Sequence, residues 1–181
     1  MVRSEGYLSR IVWDAKRNRL KYSQQTQNEI NTIRNSKPSR RVSGGKKSVS
    51  GRYPSQKMGV TIQFESHKVE LPFIYRLEHD NDVLEYYDQP PSIKLSYKSK
   101  TGRAIGYYYT PDFFIIKEDS AGWWECKPEV QLQEFAEKKP ERYILGDDNE
   151  WHYIPAEAYA SERGLNFQIW SSASIEWTLQ L

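Results

Sequence analysis

Tyr109-Thr110-Pro111-Asp112-Phe113-Phe114-Ile115-Ile116-Lys117 and, after the loop Glu118-Asp119-Ser120-Ala121-Gly122, Trp123-Trp124-Glu125-Cys126-Lys127-Pro128 decide how this chain folds. Both runs are rich in β-branched and aromatic residues, and the loop between them carries turn residues. The pair therefore reads as a hairpin. In a strand, residues i and i+2 share a face, so Glu125 and Lys127 point the same way and Cys126 the other. The hairpin sets Asp112 beside Glu125 on the neighbouring strand. Pro111 fixes the chain entering Asp112 and removes one ladder hydrogen bond, which suits strands that part at a site.

Working outward, Ile93-Lys94-Leu95-Ser96-Tyr97-Lys98 alternates apolar and polar residues as a half-buried strand does, and Lys100-Thr101-Gly102-Arg103 is a turn. The run Ile105 to Lys117 reads as β throughout. Val83 to Gln89 is extended and stopped by Pro90-Pro91. Neighbouring strands on such short turns make an antiparallel sheet. Upstream, Val69, Phe73, Ile74 and Leu77 have helical spacing. Pro72 is harmless in a first turn and disruptive deeper, so the helix is expected to begin close to Val69, after an irregular lead-in over 64–68. Downstream, Glu129 to Lys139 reads as a helix, 151–154 as extended, 156–163 as a helix and 166–170 as a last strand. Ser171 to Ser174 resembles a helix start. The order gives an α/β body around a mixed central β-sheet flanked by helices. The expected division is a basic, partly extended arm over 1–60, the body over 61–175, and the start of a truncated helix over 176–181.

Charge supports that division. The 181 residues carry a net charge of only +2, yet residues 1–60 hold 14 Lys and Arg against 3 Asp and Glu, and residues 61–181 hold 12 against 21. The arm's Arg40, Arg41, Lys46 and Lys47 lie in a Ser- and Gly-rich stretch that can bury almost nothing. Nucleic acid is the natural partner, because each cation placed on a phosphate releases a counterion. One Cys excludes a disulfide scaffold or a Cys-based zinc site and fits a reducing, cytoplasmic setting. No apolar run is long enough to span a membrane.

An acidic body meets phosphate comfortably only through a cation. Asp112 and Glu125 facing each other repel, and a divalent ion removes that penalty. Mg²⁺, for which Mn²⁺ can substitute, prefers a few carboxylates, waters and a phosphate oxygen. Lys127 beside it can orient a water or stabilise developing charge, so the chemistry is metal-assisted phosphodiester hydrolysis. The plain alternative for Glu125 and Lys127 is a surface ion pair. The flanking Trp123, Trp124 and Cys126 speak instead for a buried strand, where such a pair is costly. A second Glu-x-Lys at Glu137-Lys138-Lys139 sits in a charged helical stretch and reads as a solvated face. For a third acid the candidates are Glu65, Glu70 and Glu78. Glu70 lies between the inward positions Val69 and Phe73, Glu65 lies in the lead-in and competes, and Glu78 belongs to the solvated helix end. His67, His79 and His152 lack metal-ligand spacing.

Phe64-Glu65-Ser66, Glu70, Gln89-Pro90, Tyr109-Thr110-Pro111-Asp112-Phe113 and Glu125-Cys126-Lys127-Pro128 together resemble the N-terminal catalytic domain of the TnsA endonucleases, over about residues 60–170. The resemblance implies a restriction-endonuclease-like PD-(D/E)XK core. It also implies that Glu70, Asp112 and Glu125 bind one or two Mg²⁺ ions and that Lys127 is the catalytic lysine. It implies a subunit of a heteromeric cut-and-paste transposase that nicks double-stranded DNA at the transposon 5′ ends. Its partners would be a TnsB-like transposase and a TnsC-like AAA+ regulator. A stand-alone restriction, repair or phage nuclease would share the fold and site, and a non-catalytic DNA-binding module would have no need of the four-residue set.

Overall fold

The computed structural model describes residues 10–39 and 50–175. The chain opens with α1 (Arg10–Arg19) and α2 (Gln24–Asn35). Ser23 caps α2, its Oγ accepting from the Thr26 N–H at 3.1 Å, a contribution of about 1 kcal/mol. A small antiparallel pair follows, β1 (Gly51–Pro54) with β2 (Thr61–Phe64), and then α3 (Glu70–His79). Pro72 therefore falls in the first turn of α3, where no N–H is needed. Ser66 organises the lead-in: its Oγ accepts from the Val69 N–H and its carbonyl from the Leu71 N–H.

Next come β3 (Val83–Asp88), β4 (Ile93–Lys98), β5 (Ala104–Tyr109), β6 (Phe113–Lys117), β7 (Ala121–Lys127) and α4 (Glu129–Lys138). The chain continues through β8 (Tyr143–Leu145), β9 (Trp151–Tyr153), α5 (Ile154–Ser161) and β10 (Asn166–Ser171). The central sheet runs β10-β7-β6-β3, with β10 parallel to β7 and the other pairings antiparallel. It is a mixed sheet with helices packed on both faces, an α/β arrangement consistent with a restriction-endonuclease-like core.

The sheet corrects the sequence reading in one respect. The strands at 93–98 and 104–109 do not join it; β4 and β5 pair with each other as a separate ribbon, Ile93 opposite Tyr109 and Lys98 opposite Ala104. Proline accounts for this. Pro90-Pro91 ends β3, and Pro111 divides the β-rich run at 105–117 into β5 and β6, so the ladder cannot continue across either break.

Aromatic packing fixes both helical layers. Phe73 of α3 lies against Phe113, Trp124 and Trp170, with ring centroids 5.2–5.5 Å away. On the other face Trp123 packs edge-on against Phe114 and against Tyr159 of α5. Truncating rings buried this deeply costs about 3–5 kcal/mol each.

The described part of residues 1–60 is helical over α1 and α2 and extended over β1. Trp13, Ile30 and Ile33 are in the core. The guanidinium of Arg34 grips Glu85 of β3 with Nε and Nη2 at 3.0 and 3.1 Å. Lys16 donates to the Glu118 carbonyl. These apolar and ionic contacts make α1 and α2 part of the body, and some of the cations counted toward an arm are engaged internally. Arg40, Arg41, Lys46 and Lys47 lie outside the described residues, as does the expected helix start at 176–181. Ser172–Ser174 forms a single 3-10 turn capped by Ser171. Among the described residues no helix is long and apolar enough to cross a membrane.

Candidate active site at the parting of two strands

The last ladder pair between β6 and β7 is Phe113 with Trp124. Beyond it Pro111 offers no N–H and the strands separate. The Asp112 carboxylate takes over, its Oδ2 accepting from the Cys126 N–H at 2.8 Å. The Asp112 carbonyl accepts from the Gln89 N–H at 2.8 Å. Gln89 is buried and adopts a left-handed φ of +47°, which is uncommon for a residue with a side chain. Ser39, immediately before Arg40, donates its N–H to the Gln89 carbonyl and its hydroxyl to that of Pro90.

Glu125 is 3% exposed, and its Oε1 is ion-paired with the Lys127 ammonium. Its Oε2 is buried away from Lys127, and the buried Tyr109 hydroxyl interacts with this carboxylate. Glu70 stands in the first turn of α3, 8% exposed, with Oε2 accepting from the Glu65 N–H at 2.8 Å. Thus α3, the β5–β6 break and β7 each deliver one acid, and these acids act on one another. Burial pushes the Glu70 carboxyl up to about 7; the Glu65 N–H opposes this, while the charges of Glu65 and Glu125 add to it. Burial and then the charge of Glu125 raise Asp112 well above the usual carboxylate range, against the pull of Lys127. Burial alone would lower the pKa of Lys127, but the charges of Glu125 and Asp112 outweigh it and hold the ammonium above its ordinary value.

The charges of Glu70, Asp112, Glu125 and Lys127 are thus felt by one another, while the three acids are not gathered closely enough to hold an ion as they stand. Glu65 stays close through its backbone bond and its charge. Glu78, expected at a solvated helix end, is instead a fixed acceptor for Ser55 Oγ, the Lys57 N–H and the Tyr86 hydroxyl at 2.6–2.7 Å. The histidines stand apart: His67 packs edge-on against Phe64, His79 bonds the Tyr75 carbonyl, and His152 lies between Asp148 and Glu157. Cys126 is a buried thiol whose pKa burial raises, so it is unreactive.

Two tyrosines that were not among the candidate site residues feel the charge of this site. Burial and the charges of Glu125 and Asp112 raise the pKa of the Tyr109 phenol. Burial and Glu125 push Tyr143 up to about 12. Tyr109 adjoins the Pro-Asp pair and could have been noticed there. Tyr143 arrives from a three-residue strand with no local signal.

The sequence matches the family described as TnsA-like endonuclease, N terminal, over residues 80–172, just over half of the chain. The chain belongs to this family. The matched stretch of the TnsA-like domain carries Asp112, Glu125 and Lys127, whereas Glu70 and all of α3 precede it. No curated protein matches the chain.

The donor set of this TnsA-like domain suits a hard divalent cation. It offers carboxylate oxygens from three elements and mutual repulsion that a cation relieves. Among the described residues no three His, Cys, Asp or Glu side chains are already clustered to hold an ion. Each acid is instead engaged by a backbone N–H or by Lys127.

Proposed function

We propose that this TnsA-like domain is the Mg²⁺-dependent DNA-nicking subunit of a heteromeric transposase, hydrolysing one phosphodiester at each transposon 5′ end. The observation that carries this reading is the imbalance of buried charge: the carboxyls of Glu70, Asp112 and Glu125 against the single amine of Lys127. A purely structural cluster has no reason to keep that arrangement, because buried unpaired charge costs several kcal/mol.

Glu70, Asp112 and Glu125 would hold the ion, their side chains turning from their present partners to do so, and Mn²⁺ would substitute. When bound, the ion supplies Lewis acidity at the scissile phosphate and makes its bound water easier to deprotonate. The chain's own residues do the rest. The Cys126 and Gln89 N–H groups position Asp112 from two sides. Lys127, released from Glu125, presents an ammonium to the phosphate or orients the attacking water. The partners in this reading are double-stranded transposon ends, a TnsB-like transposase that cuts the other strand, and a TnsC-like AAA+ regulator.

Nicking of end-containing duplex by the chain together with its partner transposase, in Mg²⁺ and in Mn²⁺, tests the assignment. Asp112→Ala and Lys127→Ala should each lower the rate by about a hundred- to a thousand-fold. Undiminished nicking in both variants removes the chemistry from these residues.

A further inference from the structure

Residues 61–181 hold nearly twice as many acids as bases, and that excess is unevenly spread. Between Gln89 and Pro111 there is no Asp or Glu, while Lys94, Lys98, Lys100 and Arg103 all fall there. These are the residues of the β4–β5 ribbon. Ile93, Leu95, Tyr97, Ile105, Tyr107 and Tyr109 form its inner face, Ile93 and Leu95 buried and the others partly so. Tyr107 shares a hydroxyl contact with Tyr153, and Tyr97 lies under the Arg142 guanidinium at 4.9 Å.

The opposite face carries Lys94, Ser96 and Lys98 on β4 and Ala104, Gly106 and Tyr108 on β5, all exposed, with Tyr108 at 76%. Lys100 and Arg103 are exposed at the turn, which Gly102 closes at a φ of +80°. Among the described residues none of these four cations is ion-paired.

Lysines on a ribbon edge can serve simply to prevent strand-to-strand aggregation. Residues 61–181 outside this ribbon carry mostly carboxylates. A local reversal of sign needs a further cause, and the root of the ribbon suggests one. β5 runs through Thr110 and Pro111 directly into Asp112. At the base of β4, Gln89 donates to the Asp112 carbonyl, and Ser92 bonds Thr110 at 2.6 Å. Both strands thus rise from the residue that anchors the candidate site. Six residues of strand extend about 20 Å, and a two-stranded ribbon is narrow enough to lie against or within a duplex groove.

We propose that the outer face of the β4–β5 ribbon, through Lys94, Lys98, Lys100 and Arg103, binds the phosphates of duplex DNA beside the cleavage point and seats the strand to be cut against Asp112. This rests on the nuclease reading for its choice of a nucleic-acid partner. Tyr108, exposed opposite Lys94, adds a flat ring that can rest on sugar or base edges.

The test is binding of a fluorescent end-containing duplex to the full chain in EDTA, across about 50–300 mM salt. The proteins are wild type, a variant with Lys94, Lys98, Lys100 and Arg103 all changed to Gln, one with the three lysines changed to Arg, and Asp112→Asn. The neutralised variant should bind at least about ten-fold more weakly at low salt, with its salt slope reduced by about three to four. The arginine variant should match wild type, which separates loss of charge from loss of fold. Wild-type affinity and slope in the neutralised variant overturn the proposal. So does normal DNA binding by that variant with lost association to an acidic protein, which would make the ribbon a protein contact. Asp112→Asn reports separately on the nuclease reading: it should bind duplex like wild type yet fail to nick in Mg²⁺.

Discussion

Among the described residues, the buried charges around Glu85 and those around Glu125 are arranged in opposite ways. Around Glu85 the balance is complete: Arg34 grips both carboxylate oxygens, the Tyr87 hydroxyl donates to Oε2 at 2.6 Å, and Trp13 covers the guanidinium at 4.6 Å. Around Glu125 one ammonium, that of Lys127, is set against the charges of Glu125, Asp112 and Glu70. The first cluster lies inside the packed layers and ties α2 to β3. The second lies where Pro111 and Pro128 stop two strands and Asp112 and Lys127 keep some exposure. A matched pair of buried charges holds elements together, whereas an unmatched set stores repulsion that a cation can relieve.

The contrast can be broken most sharply at Asp112. Asp112→Asn should lower nicking by at least about a hundred-fold while leaving the thermal stability of the metal-free protein unchanged or higher, because one repelling acid is gone. Calorimetry in EDTA showing a large loss of stability would make this cluster as structural as the other. Arg34→Ala should do the reverse. It leaves Glu85 buried and uncompensated, costs about 3–5 kcal/mol in denaturant unfolding, and leaves the nicking rate per folded molecule unchanged. A loss under about 1 kcal/mol would mean that the pair contributes little to the docking of α2.

The smallest expected effect concerns pH. Glu70, held at about 7, binds its proton more tightly folded than unfolded. Its contribution to stability is therefore present below the ordinary carboxylate range and is lost as pH rises toward and through about 7. Metal-free protein should melt at a lower temperature at pH 8 than at pH 5.5, and Mg²⁺ should raise the melting temperature more at pH 8. Glu70→Gln should flatten both trends. Identical melting of wild type and variant across that range would remove Glu70 from the coupled set.

Much of this was legible residue by residue. Pro-Asp followed thirteen residues later by Glu-x-Lys gave the hairpin and the facing acids, because strand alternation is a local property that the sequence writes out directly. The position of Pro72 located the start of α3 through the same kind of local rule. The N-terminal helices were hidden by composition. Arg- and Asn-rich segments look solvated, and only the docking of Trp13, Ile30 and Ile33, with Arg34 meeting Glu85 fifty-one residues away, makes them part of the body. Glu78 was misread for a similar reason, since its partners Ser55 and Lys57 come from a distant turn.

The chain's local chemistry alone set the strands and the breaks between them, since steric alternation and proline act over a few residues. The packing of distant segments settled that the β4–β5 ribbon leaves the sheet, which buried carboxylate is balanced and which is not, and that Tyr143 feels the charge of Glu125. Those outcomes depend on which distant groups exclude water together, and burial is a property of the whole packed chain.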